Sequence, residues 1–314
     1  MSGVGFGQPP GGRSRRMTAQ PLPVERDDRG EHEGVLTIRL EQVDRPIIVL
    51  DHALIQRLEA TLATIPVDAR AVVLASASER AFVAGADLKA ISDLSDEQLD
   101  RYLDYGQRVF GILSQLPCPT VAAINGAALG GGLELAMHCD GLVASPSPSG
   151  KPYQVGLPEA SLGLCPGWGG TNLLPARMDP ADAIRRTATG RTMAFDEAAE
   201  AGLFDDVAAT PDELLDAAKS WVCAQKTPKR DAAPARWIGR SETAPAVLAA
   251  ADEVRGEVGS SLPGKAVLDA VDAGTARGWQ AALDAERQRL VALRRTPAAV
   301  EAIRAFFERT AKKG

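Results

Sequence analysis

The sequence predicts an α/β protein with a helical C-terminal region, and three observations carry that prediction. From residue 34 to about residue 224, short apolar runs with strand character alternate with longer amphipathic stretches. Beyond that point strand-like runs stop, and apolar residues recur only at helical spacing. A glycine cluster follows one apolar run, at 120–124, and leads straight into an apolar helix.

The elements follow in order. Residues 1–30 are rich in Gly, Pro and Arg with almost no periodicity, and read as a disordered leader. Arg13, Arg15 and Arg16 are suited to a transit peptide, but no amphipathic apolar face accompanies them, and Met17 is an alternative start. Residues 31–224 form the expected core and 225–314 the helical region. Residues 35–40 alternate as a strand does, and 46–50 read as a short buried strand. Asp51 then caps a helix with Leu54, Leu58 and Leu62 at fourfold spacing. Residues 71–75, 120–124 and 141–144 are further buried strands. Ser95 and Gln98 form a capping box before a helix with Leu99, Leu103, Phe110 and Leu113 on one face. Residues 226–240, rich in Pro and Arg, read as a loop. Trp279, Leu283, Leu290 and Leu293 mark one late helix. Thr296 and Pro297 open the last, whose apolar face is Val300, Ile303, Phe306 and Phe307. Both stripes read as core packing, part of it against another subunit.

Bulk properties narrow the function. The chain has 314 residues and a net charge of −6, which argues against nucleic acid as the main partner. No apolar run reaches the roughly 18 residues of a membrane span. The four cysteines, Cys118, Cys139, Cys165 and Cys223, include no Cys-x-x-Cys pair and read as free thiols in a reducing compartment, so a cytoplasmic location is expected. His32, His52 and His138 match no metal spacing and read as surface or packed residues; no metal site is expected.

Three segments carry chemistry. In the first, 81–89, the small residues Ala84, Gly85 and Ala86 let backbone N–H groups approach a ligand, and Lys89 can reach a phosphate. In the second, 125–136, glycines fall at a helix N-terminus, where free N–H groups and the helix dipole favour negative charge, and Glu134 follows them. No Gly-Lys-Ser/Thr follows, and the spacing is wrong for a dinucleotide fingerprint. In the third, 155–171, Glu159 follows Pro158, eight residues before the run Gly167-Trp-Gly-Gly-Thr171. Taken singly, each glutamate is explained as a first-turn residue favoured by a helix dipole. Taken together, two carboxylates beside exposed backbone N–H groups are suited to acid and base work next to a stabilised oxyanion.

Residues 82–88, 127–136 with Cys139-Asp140, Pro158-Glu159 and 166–171 together closely resemble the crotonase family, the enoyl-CoA hydratase/isomerase group, over about residues 34–224. The resemblance implies a spiral of ββα units and an acyl-CoA thioester substrate. It implies an oxyanion hole from the N–H groups of Ala86 and Gly131, and a catalytic pair in Glu134, as base toward water, and Glu159, as proton donor to the α-carbon. Gly167 matches a glycine that helps hold the water. Ala84, Asp87, Leu88 and Lys89 match CoA-binding positions, and Arg45 is a further candidate for a phosphate or a solvated surface residue. The CoA belongs to the substrate, so no separate cofactor is implied. Keeping both glutamates favours hydration over the Δ3,Δ2-isomerase variant, in which the position of Glu159 alone shuttles the proton. A non-catalytic acyl-CoA-binding protein is the alternative from another class.

Two positions depart from the family pattern: Ile48 stands near an expected Asn, and Trp168 replaces a small residue. Two readings of the indole stay open, a reshaped acyl pocket or packing outside it. The tail, at 262–270, Gly278-Trp279, 281–295 and Phe306-Phe307 before Lys312-Lys313, resembles the end of the hydratase half of the bacterial fatty-acid oxidation complex alpha subunit, a region that can fold back over its own active site. The resemblance also implies a homo-oligomer, trimer or hexamer, and β-oxidation enzymes as partners.

Overall fold

In the computed structural model, residues 19–42, 45 and 47–311 are described. The expectations attached to Arg13, Arg15, Arg16, Met17, Pro46, Lys312 and Lys313 lie outside these residues. Strands β1 (Val24–Arg26), β2 (Val35–Leu40) and β3 (Ala71–Ser76) belong to a six-stranded sheet, with helix α1 (His52–Leu62) between the last two. Next come β4 (Ala81–Val83), α2 (Leu88–Asp93), α3 (Asp96–Leu113), β5 (Thr120–Ile124), β6 (Ala127–Leu129) and α4 (Gly131–Met137). Then follow β7 (Gly141–Ala144), β8 (Gln154–Gly156), a 3₁₀ turn at Pro158–Leu162, α5 (Gly170–Leu173), α6 (Pro180–Thr189), β9 (Met193–Ala194), α7 (Phe195–Glu200), β10 (Asp206–Val207) and α8 (Leu214–Cys223). The C-terminal region is α9 (Ala244–Val258), α10 (Leu262–Arg277), α11 (Trp279–Leu293) and α12 (Pro297–Ala311).

The chain lays down one strand in each of two sheets and then a helix, and repeats. The first sheet runs β1-β2-β3-β5-β7-β10 and the second β4-β6-β8-β9. The first is parallel from β2 to β10, with β1 antiparallel at one edge. Its central strands β2, β3, β5 and β7 are buried on both faces, as parallel strands covered on both sides must be. Val73, Val121 and Val143 point to one face beneath Leu214, Ala218 and Val222 of α8. Val72, Leu74 and Ala122 point to the main core on the other.

Two boundaries differ from the sequence reading. Within residues 19–30, placed in a leader, part of the chain joins the fold: Leu22 is buried, its N–H donates to Thr61 Oγ1 at 2.7 Å, and β1 pairs with β2. The alternation rule missed β1 because its three residues are all exposed. Residues 47–49 do not form the expected strand; only Leu50 pairs, in a single parallel bridge with Ala86. The Asp51 cap is present, its carboxylate accepting from Leu54 N, and so is the Ser95–Gln98 capping box.

Candidate active site

Strands β4, β6 and β8 are mutually parallel, so their C-terminal ends emerge on one edge of the second sheet. The three segments singled out in the sequence follow these strands, and this is why they converge. They surround a cavity of about 260 Å³ whose wall includes Ala86, Gly131, Glu134, Glu159, Gly167 and Trp168. Ala84 and Leu88 also line it.

The oxyanion candidates come from two turns. Leu50 bonds Gly85 O through its N–H (2.8 Å) and accepts from Asp87 N (3.0 Å), which spends the backbone groups on either side of Ala86. In a parallel bridge of this kind the N–H of Ala86 itself points away from Leu50. Gly85 has φ 119°, a conformation only glycine adopts without strain. Ile48 supports the same turn, its carbonyl accepting from Ala84 N at 2.8 Å. Gly131 is the first residue of α4, where an N–H has no intrahelical partner. A Cβ there would sit 2.4 Å from the Trp168 ring, so this position has room for glycine only.

Glu134 lies one turn into α4 and is 1 % exposed. Its Oε1 accepts from Trp168 N (2.7 Å) and Gly170 N (2.8 Å). Glu159 lies in the 3₁₀ turn; a Cβ on Gly130 would fall 2.4 Å from its Oε1, and its Oε2 is buried without a protein partner. Burial raises the proton affinity of both groups, Glu159 to about 7 and Glu134 well above the ordinary carboxylate range. The negative charges of Glu286 and then Glu159 press Glu134 further up, and the N–H groups of Gly170 and Trp168 hold it back.

Glu286 was not singled out in the sequence. It projects from α11, is fully buried, and accepts from Gly169 N (2.6 Å), Thr171 N (2.8 Å) and the Thr171 hydroxyl. Burial pushes it up to about 7 against those donors. A signal was available: Glu286 falls between Leu283 and Leu290 on the stripe assigned to core packing, where a charge is out of place. Gln107, on the buried face of α3, was also missed; its Nε2 donates to Gly167 O and Leu283 O, both at 2.9 Å, tying the loop to the tail.

Trp168 is core and cavity wall at once, so its packing is not outside the cavity. Its indole N–H donates to Leu103 O (3.1 Å), and its ring meets Phe110 and Tyr102 edge-on, with centroids 5.3 and 5.6 Å away. Its carbonyl is 2.9 Å from His138 Nε2, which places the imidazole proton there; burial lowers His138 to about 4, so the ring is neutral. His138 is thus the packed histidine, while His32 is half-buried beside Ser220 and His52 is exposed.

Asp87 and Lys89 are not part of the cavity wall. Asp87 caps α2, accepting from Lys89 N and Ala90 N, and the exposed Lys89 ammonium pairs with Asp93. Arg45 is exposed and lines a separate surface hollow with Gln42 and Arg80. The tail completes the cavity, with Leu290 of α11 and Phe306 and Arg309 of α12 on its wall.

Residues 30–235 match the sequence pattern of the family described as Enoyl-CoA hydratase/isomerase. The chain belongs to the enoyl-CoA hydratase/isomerase family. YngF of Bacillus subtilis (strain 168), named only provisionally as an enoyl-CoA hydratase/isomerase, is 36% identical over 198 residues, covering 62% of this chain and 73% of that relative. An enoyl-CoA hydratase from Bacillus anthracis is similar in structure, with TM-score 0.56 and 29% identity over 92% of this chain and 97% of that one. The human mitochondrial Δ3,Δ2-enoyl-CoA isomerase shares the fold, with TM-score 0.66 at 21% identity, covering 94% of this chain and 99% of that one. The ββα spiral described above is thus the crotonase fold, and no helix among the described residues is long and apolar enough to cross a membrane.

Proposed function

We propose that this family member is a 2-enoyl-CoA hydratase, adding water across the conjugated double bond to give a 3-hydroxyacyl-CoA. The observation that carries this reading is that two carboxyl groups, the buried Glu134 and the half-buried Glu159, face one cavity beside Ala86 and Gly131. The thioester carbonyl accepts from the N–H groups of Ala86 and Gly131, which stabilise the enolate as it forms; one such donor contributes about 3–4 kcal/mol. Water between the two carboxyls, held also by the Gly167 N–H, loses a proton to Glu134 while its oxygen attacks the β-carbon. Glu159 delivers a proton to the α-carbon, and the carbonyl re-forms. The CoA is part of the substrate, and no further cofactor is invoked.

Protons are shared across a cluster, so apparent titrations belong to the group of carboxyls rather than to one residue. The roles require Glu159 neutral and Glu134 ionised. Burial and the charges of Glu286 and Glu159 push Glu134 toward its protonated form, the two N–H donors on its Oε1 oppose them, and hydration draws on the state of the shared proton in which Glu159 holds it. Glu159, raised to about 7, keeps its proton below that pH and loses it as the pH climbs through it. Turnover is therefore expected to fall above about pH 7, read as an alkaline limb in kcat against pH.

A second reading, Δ3,Δ2-isomerase, is favoured by one observation: Glu159 Oε2 is free, whereas Glu134 Oε1 is occupied by the loop. The two are separated by presenting 2-enoyl-CoA and 3-enoyl-CoA panels of increasing chain length to the full-length protein and identifying the products. Formation of 3-hydroxyacyl-CoA supports hydration. Exclusive interconversion of the two enoyl isomers supports isomerisation. Retained CoA binding without turnover supports a binding protein. We further propose a trimer or hexamer in solution and a place beside the enzymes of β-oxidation.

A further inference from the structure

Thr171 and the three residues before it are gripped from both sides. Going along the chain, the N–H groups of Trp168 and Gly170 donate to Glu134, and those of Gly169 and Thr171 donate to Glu286. Two carboxylates, one from the core helix α4 and one from the C-terminal helix α11, thus take alternate amides of one turn. Glu286 fills both its oxygens this way, one from Gly169 N and the other from Thr171. The Thr171 hydroxyl is oriented in turn by Asn172 Nδ2 at 2.7 Å. A neutral Glu or Gln side chain offers one such acceptor oxygen fewer, so the three donors select the ionised form.

Resting on the acid–base reading of Glu134 and Glu159, we propose that Glu286 is a positioning residue of the reaction. By holding Gly169 and Thr171 it aims the Trp168 and Gly170 amides at Glu134, and in its ionised form its negative charge favours a proton on the neighbouring catalytic carboxyl pair. The reaction centre is then incomplete without the C-terminal helix that carries Glu286. Glu134 on α4, Glu159 in the 3₁₀ turn and the thiol of Cys165 feel Glu286 and are each pushed toward their protonated forms by it. His138, behind Trp168, is neutral. Of the cations on α11, Arg289 pairs with Asp269, and Arg287 with Asp100, Asp104 and Asp284.

The test compares the pH dependence of kcat and KM for the full-length wild type and Glu286→Gln. The expected result is a kcat lower by about 10–100-fold, the range that small misplacement of a reacting group produces, with KM within about twofold. The alkaline limb is expected to move to lower pH by about half a unit or more, because a negative charge beside Glu159 has gone. A folded variant with wild-type kcat overturns the proposal. So does a lowered kcat with an unmoved limb, since that is what loop support alone produces. Thr171→Val, which removes one donor and keeps the shape, is read by the same two criteria if Glu286→Gln does not fold; a smaller shift in the same direction is expected. Glu159→Gln separates this idea from the reading beneath it. Undiminished turnover there removes the acid–base pair itself. Lost turnover there, with an unmoved limb in Glu286→Gln, removes only the role of Glu286.

Discussion

A methyl group at residue 131 measures how tightly the oxyanion site is built. It would meet the Trp168 ring at 2.4 Å and Leu50 at 3.2 Å, so Gly131→Ala must push either the indole or the first turn of α4 aside. The expected outcome is a kcat loss of about 10²-fold or more, checked by steady-state kinetics with 2-enoyl-CoA. Trp168 itself is 2 % exposed and packs among Leu103, Phe110 and Tyr102. Trp168→Ala should cost about 3–5 kcal/mol of stability, read by denaturant unfolding, and should admit bulkier acyl groups. Lost stability without broader acyl acceptance would show that the indole is core alone. These residue-scale properties were partly legible. The glycines and glutamates stand in runs whose spacing is informative, and Ala86, Gly131, Glu134 and Glu159 do line one cavity. Asp87 and Lys89, read as CoA-binding positions, lie beside the cavity wall as a helix cap and a surface ion pair. A short helix start looks the same in sequence whether its polar groups serve the chain or a ligand.

At the scale of elements, the site is assembled by the parallel strands β4, β6 and β8 and closed by the tail. Leu290 of α11 and Phe306 of α12 face the cavity from the C-terminal side, and the left-handed turn at Gly163 lies against Ala299 of α12. Leu290→Ala should remove about 2–5 kcal/mol of stability and enlarge the cavity, shifting preference toward longer acyl chains. The check is kcat/KM across a chain-length panel, and an unchanged preference would place the acyl group elsewhere. The long amphipathic helices were readable, because α3, α11 and α12 repeat apolar residues every three or four positions. The strand expected at 46–50 was not, because a run of apolar residues buried in extended coil has the composition of a strand. Glu286 was overlooked for a related reason: the stripe Trp279, Leu283, Leu290, Leu293 reads as core, and a polar residue inside it has meaning only when its distant partners Gly169 and Thr171 are known.

For the whole molecule, gathering Glu134, Glu159 and Glu286 around one loop has a consequence for stability. Glu159 and Glu286 are raised to about 7 by burial, above the value of about 4.5 from which they start. The folded state therefore holds protons that the unfolded state releases, so these groups favour folding at low pH, and that contribution is lost as pH rises from about 4.5 through 7. The wild type should lose more thermal stability across this window than Glu286→Gln, as read by Tm at several pH values. Equal slopes would mean that Glu286 keeps the same protonation state on unfolding. The alternation of strands and helices made the α/β class foreseeable, and the resemblance to the crotonase family implied the ββα spiral. The coupling of tail to core depends on contacts more than 100 residues apart, such as Glu286 with Gly169, which no local pattern encodes.

The most direct test of the two-carboxyl site is turnover of 2-enoyl-CoA by the wild type, Glu134→Gln and Glu159→Gln, followed by loss of the conjugated enoyl absorbance with identification of the product. The wild type is expected to form 3-hydroxyacyl-CoA, and each variant to lose kcat by about 10²-fold or more while still binding CoA. Hydration at the wild-type rate by either variant would contradict a mechanism that needs both glutamates.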